Sequence, residues 1–517
     1  MRYRIITFLA CLTLLVGCND YLEESPDNRA TIDTPEKVGE LLVYAYPTVN
    51  HQAFCTIMSD NATDKLKSKR KHESNKNAYH WEDFIREDQD SPVNFWNGCY
   101  AAIKQANHAI AIIEPLIIDG IVPEEYTPYY GEALLCRAYC HFMLVNLWSP
   151  QYDPATAGTD LGIPYVKEPE TVVIKDYHRG TVASVYANIE ADLTTGIKHV
   201  DEYANDNLKL HWNKKAVNTF AARFFSMKGE YEKVLSHTGK VFDEYPSTLL
   251  RPVNSTYKQM DIEERIPLWG RTTEACNFLV TPQYSNWFLD FYGSYRYGMS
   301  YDLYNYVFKG RSDNNQILRE PFVAVEYKDR IGYTDTWALD ARGSDPDYFI
   351  PKWGHHTEKD GLNSDIGYYM IMNVIFDAEE ALFLRMEAQA MLGNYELVRN
   401  GLDIYLSTRI LNYNPEKNAV TEENVKERYA EEIAKYSLNP FYPIPDEARP
   451  YMNCLYDLRR KEFFYTGMRW FDHRRFNTTV THYVGESDKI ILSEKDVRKQ
   501  LQIPTNAAAY GLESNPR

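Results

Sequence analysis

Apolar residues recur every three or four positions over most of the chain, the spacing that places side chains on one face of an α-helix. The pattern predicts helices over residues 35–47, 95–115, 127–148, 181–198, 213–227, 230–244, 376–392, 395–411, 422–436 and 454–475. Several of these segments begin or end near a proline or a glycine, the residues that most often interrupt helices. The sequence therefore predicts a mainly α-helical protein.

Two of the predicted helix pairs look like copies of one unit. Each contains a helix, a glycine, a tyrosine two positions later and a second helix, with Gly229 and Tyr231 in one copy and Gly393 and Tyr395 in the other. This turn resembles that of tetratricopeptide repeats, in which the glycine allows tight packing and the tyrosine fills the groove. Because the copies lie far apart, we expect a tetratricopeptide-like helix-pair scaffold, mainly over residues 35–48, 95–248 and 376–480, interrupted by long insertions.

Two loop-rich segments, about 50–94 and 250–375, are the predicted insertions. Binding residues commonly lie on loops that a rigid scaffold holds. Asp60 and Asn61 in the first insertion are candidates for hydrogen bonds to ligand hydroxyls. Most rings of the two insertions are expected to pack beneath the loops, and a few to form a shallow exposed platform. The candidates for that platform are Trp81, Trp287, Tyr292, Tyr295, Tyr297, Trp337 and Trp353.

The N-terminus has the order of a bacterial secretion signal. Arg2 and Arg4 precede an apolar run from Ile5 to Val16, which is short of the ~20 residues that span a bilayer. Cys18 follows at the cleavage point, where it resembles the cysteine of a lipobox. The pattern predicts a signal peptide over residues 1–17, a lipid on Cys18, a tether over 18–34 and a body over 35–517. The alternative is an ordinary signal peptide with a chance cysteine.

Charge narrows the choice of partners. The chain carries 73 acidic and 56 basic residues, and loss of two arginines with the signal leaves a net charge of −19. Such a charge disfavours nucleic acid and anionic membrane surfaces, so the lipid is the expected membrane contact. The chain is also rich in tyrosine, with 41 residues. Tyrosine joins an apolar ring to a polar tip, which suits binding of sugars through C–H faces and hydroxyls.

Motifs for enzymatic chemistry are missing from the sequence. It contains no phosphate-binding loop, no H-E-x-x-H zinc motif and no G-x-S-x-G nucleophile turn. The six cysteines after Cys18 include no C-x-x-C pair and are expected to be buried apolar side chains. His355-His356 and the acidic turn 340–347 could each bind a metal, but a plain surface loop is favoured for both. We therefore expect no enzyme, no cofactor and no metal.

Several short motifs, in a fixed order, resemble the SusD/RagB-like nutrient-binding lipoproteins of the Bacteroidetes. The resemblance covers nearly the whole chain, and its most diagnostic block lies between residues 458 and 475. The pieces are Cys18 with Asp20-Tyr21-Leu22, Trp96-x-x-x-Tyr100-x-x-Ile103-x-x-Ala106-Asn107, Gly131-Glu132-Ala133-x-x-x-Arg137-Ala138-Tyr139, Leu161-Gly162-Ile163-Pro164, Arg179-x-Thr181-Val182, Asp192-Leu193, Leu458-Arg459-Arg460-Lys461-Glu462-Phe463, Gly467-x-Arg469-Trp470-Phe471-Asp472, and Asn515-Pro516.

The resemblance implies a lipoprotein on the outer face of the outer membrane that captures oligosaccharides. It also implies a partner, a SusC-like TonB-dependent transporter that the protein would cover as a lid, and a ligand face in the two insertions. The charged residues of 459–475 would then belong to the packed scaffold.

Three alternatives to the sugar lid stay open. The same lid could carry peptides, as the RagB branch of the family implies. A surface glycosidase would need two carboxylates at a fixed separation, and nothing in the sequence indicates such a pair. A purely structural adaptor would bind the transporter and no small ligand.

Overall fold

The computed structural model describes residues 32–66, 68, 70–170, 176–200, 208–242, 247–286, 295–309, 342–344, 347–350, 352–359, 361, 367–430, 437–484 and 488–517. The predicted signal peptide, Cys18 and most of the predicted tether lie outside these residues.

Helices dominate the described chain. In chain order they are α1 (Pro35–Leu42), α2 (Gln52–Met58), α3 (Glu73–His80), α4 (Pro92–Ile113), α5 (Thr127–Trp148), α6 (Val182–His199), α7 (Lys214–Met227), α8 (Tyr231–Val241), α9 (Ile262–Arg265), α10 (Tyr301–Tyr304), α11 (Ala378–Met391), α12 (Tyr395–Ser407), α13 (Pro415–Asn418), α14 (Glu422–Tyr429), α15 (Arg449–Glu462), α16 (Met468–Arg475) and α17 (Thr505–Ala509). The prediction of a mainly α fold is confirmed.

Capping residues explain where several scaffold helices begin. The side chains of Ser91, Thr181, Asn213 and Asp377 each accept a hydrogen bond from a backbone N–H in the first turn of the helix that follows. These bonds satisfy donors that have no partner inside the helix. Ser91 is followed by Pro92, whose fixed φ suits the first helical position. For this reason α4 begins three residues before the predicted start.

Helix α5 is the centre of the scaffold. Every residue from Gly131 to Trp148 is buried, because α4 and α6 pack along it and α7 contacts it as well. Apolar side chains lie on all sides of this helix, in contrast to the amphipathic helices around it, and its few polar side chains, such as Arg137 and His141, are hydrogen-bonded in the interior. It therefore fixes the positions of the surrounding helices.

The two predicted repeat turns are present between α7 and α8 and between α11 and α12. Gly229 and Gly393 have φ values of 69° and 80°, in the left-handed region that glycine adopts without strain. Tyr231 is buried and its hydroxyl donates to Glu387 of α11 at 2.9 Å. Tyr395 stacks on Tyr451 of α15, with 5.0 Å between ring centroids. The tetratricopeptide-like turns are thus as predicted.

The predicted helix over 454–475 is two helices, α15 and α16. Gly467 separates them with a φ of 78°. Its missing side chain leaves room for α2: a Cβ there would lie 3.1 Å from atoms of His51 and Cys55. Periodicity alone did not reveal this break, because apolar and charged residues keep the same spacing on both sides of it.

Short antiparallel sheets occupy the insertions and the C-terminal region. The strands are β1 (Thr63–Asp64), β2 (Asn277–Tyr284), β3 (Tyr297–Gly298), β4 (Arg342–Ser344), β5 (Asp347–Phe349), β6 (His355–Lys359), β7 (Gly367–Asp377), β8 (Val480–Val484) and β9 (Asp488–Leu492). They pair as β1–β3, β2–β7–β6, β4–β5 and β8–β9. The prediction of a loop-rich second insertion did not include the β2–β7–β6 sheet, whose first strand contains Pro282, a residue that disfavours strands.

The charged block of α15 and α16 is buried in pairs. Arg475 donates to both carboxylate oxygens of Glu387, at 2.5 and 2.9 Å, and Arg459 donates to Asp472 at 3.1 Å. Arg409 of the second repeat unit bridges Glu379 and Glu462. These contacts place the block in the packed scaffold, as the sequence suggested.

Candidate ligand-binding face

The two insertions meet edge to edge. Strand β1 of the first pairs with β3 of the second, with Thr63 opposite Gly298 and Asp64 opposite Tyr297. The backbone N–H of Lys65 donates to the carbonyl of Arg296 at 2.7 Å, and that of Arg296 donates to the carbonyl of Arg70 at 2.9 Å. We call this contact, formed by β1, Arg70, His80 and residues 295–298, the insertion junction.

Charged and aromatic side chains are held in fixed positions at the junction. Arg296 donates from Nε and Nη2 to the two oxygens of Asp64, at 2.6 and 2.7 Å. This fork geometry is the strongest way to orient a guanidinium, and the hydrogen bond raises the pKa of Arg296. The guanidinium of Arg70 lies 5.9 Å from the ring centroid of Tyr295, within reach of a cation–π contact.

A column of four stacked aromatic rings ends at Tyr297 and supports the junction. Trp81 stacks on His482 of β8 with centroids 4.4 Å apart, His482 on Tyr79 at 4.2 Å, and Tyr79 on Tyr297 at 4.7 Å. The Tyr79 hydroxyl donates to the carbonyl of Tyr483 at 2.8 Å. The column therefore joins the first insertion, the second insertion and the C-terminal hairpin into one packed unit.

Asp60 and Asn61 anchor the first insertion to the scaffold. Asp60 accepts hydrogen bonds from Arg469, at 2.8 and 3.0 Å, and contacts Arg460 and His473. Burial by itself would raise the pKa of Asp60, but the guanidinium groups of Arg460 and Arg469 outweigh it and hold the pKa well below its usual value. Asn61 is buried and accepts from Arg460 Nε at 2.8 Å. The expectation that these two side chains contact ligand hydroxyls is corrected, because the scaffold already engages them.

Three of the predicted platform rings are buried. Trp81 is 5% exposed and its Nε1 donates to the Met58 carbonyl at 2.9 Å. Tyr297 lies at one end of the ring column, and Trp353 is 3% exposed beside a small internal cavity near Trp269. The expectation that they form an exposed platform is corrected, since the contacts that bury them leave no face for a ligand.

Tyr295 is the predicted platform residue that reaches the surface of the junction, where it is half-buried. Trp287, Tyr292 and Trp337 lie outside the described residues. The sequence reasoning missed Arg70, His80 and Arg296, which surround Tyr295 and Tyr297. The basic run at 65–71 in an acidic chain was a signal that could have identified Arg70.

The junction offers hydrogen-bond donors and an apolar ring face to a polar ligand. The guanidinium groups of Arg70 and Arg296 donate hydrogen bonds, and half-buried His80 adds a ring nitrogen, 3.5 Å from the Tyr297 hydroxyl. The Tyr295 ring offers an apolar face beside them. Among the described residues, no three His, Cys, Asp or Glu side chains are arranged to hold a metal ion.

Comparison with known proteins agrees with this architecture. Residues 20–225 match the SusD-like family model described as starch-binding associating with outer membrane. The fold is similar to a SusD superfamily protein from Bacteroides vulgatus, with a TM-score of 0.65, 16% identity, and 93% of this chain and 99% of that chain covered. The chain has the fold of the SusD superfamily, and residues 20–225 also match its family model.

Other SusD-like structures have the same fold. A SusD superfamily protein from Bacteroides thetaiotaomicron aligns with a TM-score of 0.62 and 17% identity over 94% of this chain and all of its own. A SusD-like carbohydrate binding protein from Bacteroides vulgatus aligns with a TM-score of 0.61 and 14% identity over 92% of this chain and 96% of its own. No curated protein sequence matches the chain. Within the described parts of this SusD-like chain, no helix is both long and apolar enough to cross a membrane.

Proposed function

We propose that this protein is a cell-surface lipoprotein that captures oligosaccharides and passes them to a SusC-like TonB-dependent transporter. The observation that carries the proposal is the insertion junction, where a tyrosine ring and two guanidinium groups meet at the contact of the two insertions. The description of the matching family as starch-binding and associated with the outer membrane supports it. So does the similarity to a SusD-like carbohydrate binding protein.

Capture would rely on stacking and hydrogen bonds. The C–H face of a sugar ring packs on Tyr295, while Arg70 and Arg296 donate to sugar hydroxyl oxygens. Asp64 holds the Arg296 guanidinium in one orientation, which reduces the entropy lost on binding. No bond in the ligand is broken in this scheme, so the protein would be a binding protein and not an enzyme.

The anchor and the partner complete the proposal. A lipid on Cys18 would hold the body at the outer face of the outer membrane through the tether, and the transporter would lie beneath it. This arrangement would strengthen weak binding at the junction. When the protein closes over the transporter, the effective concentration of the ligand at the site rises. Labelling with radioactive palmitate, lost in Cys18→Ala, tests the anchor. Co-purification of the transporter tests the lid role.

Titration calorimetry of the full chain in detergent against a glycan panel tests the junction. We expect heat with one glycan class, and we expect Tyr295→Ala and Arg70→Met to weaken binding about tenfold each. Tyr44→Ala is the matched control, because Tyr44 is 69% exposed and lies on the scaffold beside α1. Binding unchanged in both junction variants would contradict the proposal.

A peptide cargo is the second candidate, and strand β6 is the observation that favours it. All five residues of β6 are exposed, and β6 is the edge of the β2–β7–β6 sheet as far as the structure describes it. An exposed edge offers backbone groups to an extended peptide. His356→Pro and Thr357→Pro test this mode, because successive N–H groups of a strand point to opposite sides. Heat with a peptide digest, lost in one of the two variants and kept in Tyr295→Ala, would favour peptides.

A further inference from the structure

A pocket of about 390 Å³ lies between helix α4 and the C-terminal segment, which contributes Ala507, Tyr510 and Leu512. It shares no lining residue with the insertion junction. Its volume falls within the ~300–1,000 Å³ typical of small-ligand sites. Most of its wall is apolar: Trp96, Tyr100 and Ile103 of α4 face Pro164 and Val166 on one side and Leu512 on the other.

The wall formed by residues 164–166 is held in place by hydrogen bonds to the scaffold. Tyr100 donates from its hydroxyl to the carbonyl of Pro164 at 2.9 Å, and Asn107 donates to the carbonyl of Val166 at 3.0 Å. The backbone N–H of Val166 donates to Nε2 of His141 at 3.1 Å. Behind them, Arg137 forms a two-pronged contact with Asp192 at 2.7 and 2.8 Å. A pocket with walls fixed in this way needs little rearrangement to bind a ligand.

The C-terminal wall is held just as firmly. Asn515 donates to the carbonyls of Trp148 and Leu501, both at 2.7 Å. Arg179 donates to the side chain of Asn515 and to the carbonyl of Glu513, both at 2.8 Å. Leu512 of this wall is buried. Tyr510 lies at the rim of the pocket, with 62% of its surface exposed.

The rim carries polar groups of both signs. Lys104 lies on the α4 side, and Glu168 and Glu170 lie on the opposite side, where Tyr177 donates its hydroxyl to Glu170. The ammonium supplies hydrogen-bond donors, the carboxylates supply acceptors, and the Tyr510 hydroxyl can do both. An anionic ligand would meet two carboxylates, a cationic one would meet the ammonium, and a purely apolar one would use none of these groups.

We propose that this pocket, which we call the C-terminal pocket, is a second saccharide site that binds one pyranose unit. A pyranose has apolar C–H faces for the Tyr510 and Tyr177 rings, and hydroxyls that donate and accept along its edge. The inference rests on the proposed saccharide function and extends it. A second site would let one oligosaccharide chain bind at two points, which raises avidity without a new contact at the junction.

Saturation-transfer NMR on the full chain in detergent tests the inference. The probes are methyl glycosides of glucose, galactose, mannose, xylose and N-acetylglucosamine, with p-cresol as the apolar ring for comparison. We expect one pyranoside to bind, Tyr510→Ala to weaken it at least about fivefold, and Glu168→Gln to weaken it about threefold. Tyr510→Phe should keep most of the affinity, since the ring remains. Tyr44→Ala should leave this signal unchanged, and the part of the signal that Tyr510→Ala removes should persist in Tyr295→Ala.

Three outcomes would overturn the inference. The first is pyranoside binding that ignores Tyr510→Ala and disappears in Tyr295→Ala, which would leave the proposed function intact at the junction. The second is binding of p-cresol that depends on Tyr510, with no pyranoside bound. The third is no pyranoside signal at all, while calorimetry with the glycan panel still depends on Tyr295. Loss of that calorimetric heat as well would refute the proposed function separately.

Discussion

Arginine–carboxylate pairs hold together both the scaffold and the insertion junction, but solvent reaches them to different degrees. In the scaffold, the side chains of Arg475 and Glu387 are each 2% exposed. At the junction, Asp64 is equally buried, but the side chain of Arg296 is 24% exposed. The scaffold pair joins two helices and is almost entirely shielded from solvent. The junction pair uses a buried carboxylate to hold a guanidinium at the surface, where a ligand can reach it.

A large effect is expected from breaking a scaffold pair. Glu387→Gln removes the carboxylate that binds both Nη atoms of Arg475 and leaves the buried guanidinium with Asp472 alone, at 3.2 Å, so we expect the free energy of unfolding to fall by about 3 kcal/mol. Urea denaturation measures this change. The control is Glu230→Gln: Glu230 pairs with Lys228 and Lys233 at the surface, and the expected loss is below about 1 kcal/mol. Equal losses in the two variants would remove the distinction between buried and exposed pairs.

Aromatic rings differ in solvent exposure as the two ion pairs do: Trp81 and Trp353 are buried, whereas Tyr295 is half-buried. Trp81→Ala and Trp353→Ala remove buried rings and should each lower the free energy of unfolding by about 3–5 kcal/mol. Tyr295→Ala removes a half-buried ring and should cost less stability while weakening ligand binding. Thermal unfolding and calorimetry on the same samples separate the two effects. If Trp353→Ala weakened ligand binding and left the free energy of unfolding unchanged, Trp353 would be a ligand-binding residue and the correction made above would be wrong.

Substitution of Asp60 tests whether its carboxylate anchors the first insertion to the scaffold or contacts a ligand. Asp60→Asn leaves Arg460 and Arg469 without their shared carboxylate, and we expect a loss of about 3 kcal/mol in the free energy of unfolding. Hydrogen exchange should rise in residues 59–64 and stay unchanged in α5. An unchanged exchange rate, together with lost glycan binding, would mean that Asp60 serves the ligand.

The smallest expected effect, taken per pH unit, concerns the wall of the C-terminal pocket. His141 is buried, its Nδ1 faces the Arg137 carbonyl at 2.9 Å and its Nε2 accepts from Val166, so it is held neutral. Burial lowers the pKa of His141 to about 3, against about 6.5 in an unfolded chain. The unfolded state then binds more protons between these values, so the stability from this group is complete above about pH 6.5 and falls with decreasing pH.

The matching measurement is the difference in unfolding free energy between the wild type and His141→Gln across that pH range. The wild type should lose up to about 1.4 kcal/mol more per pH unit than the variant. Other buried groups titrate as well, among them His51, whose pKa burial lowers to about 3, and Asp90, whose pKa burial raises to about 7. They are common to both proteins and cancel in the difference. Parallel pH profiles would show that His141 is not held neutral.

The sequence predicted the helical scaffold better than the insertion junction, for physical reasons. Helix α5 and the turns at Gly229 and Gly393 follow from local spacing and from the conformational freedom of glycine. Burial of Trp81 depends on His482, a partner about 400 positions away, and the role of Arg296 depends on Asp64, 232 positions away. Aromatic composition indicates that rings are abundant, but not which ring faces are covered. For that reason the sequence placed Tyr295 among several candidate rings and gave no prediction for Arg70 or the C-terminal pocket.

The long separation between Asp60 and its partners has a consequence for the order in which the protein folds. Arg469 and His473 lie 409 and 413 positions after Asp60 in the chain. Contacts at such separations form late, since the intervening chain must be ordered first. During synthesis the helices around α5 are available long before α16. The first insertion is thus the last part to be fixed in place, and a chain truncated before residue 469 would lack the contacts of Asp60 that anchor it.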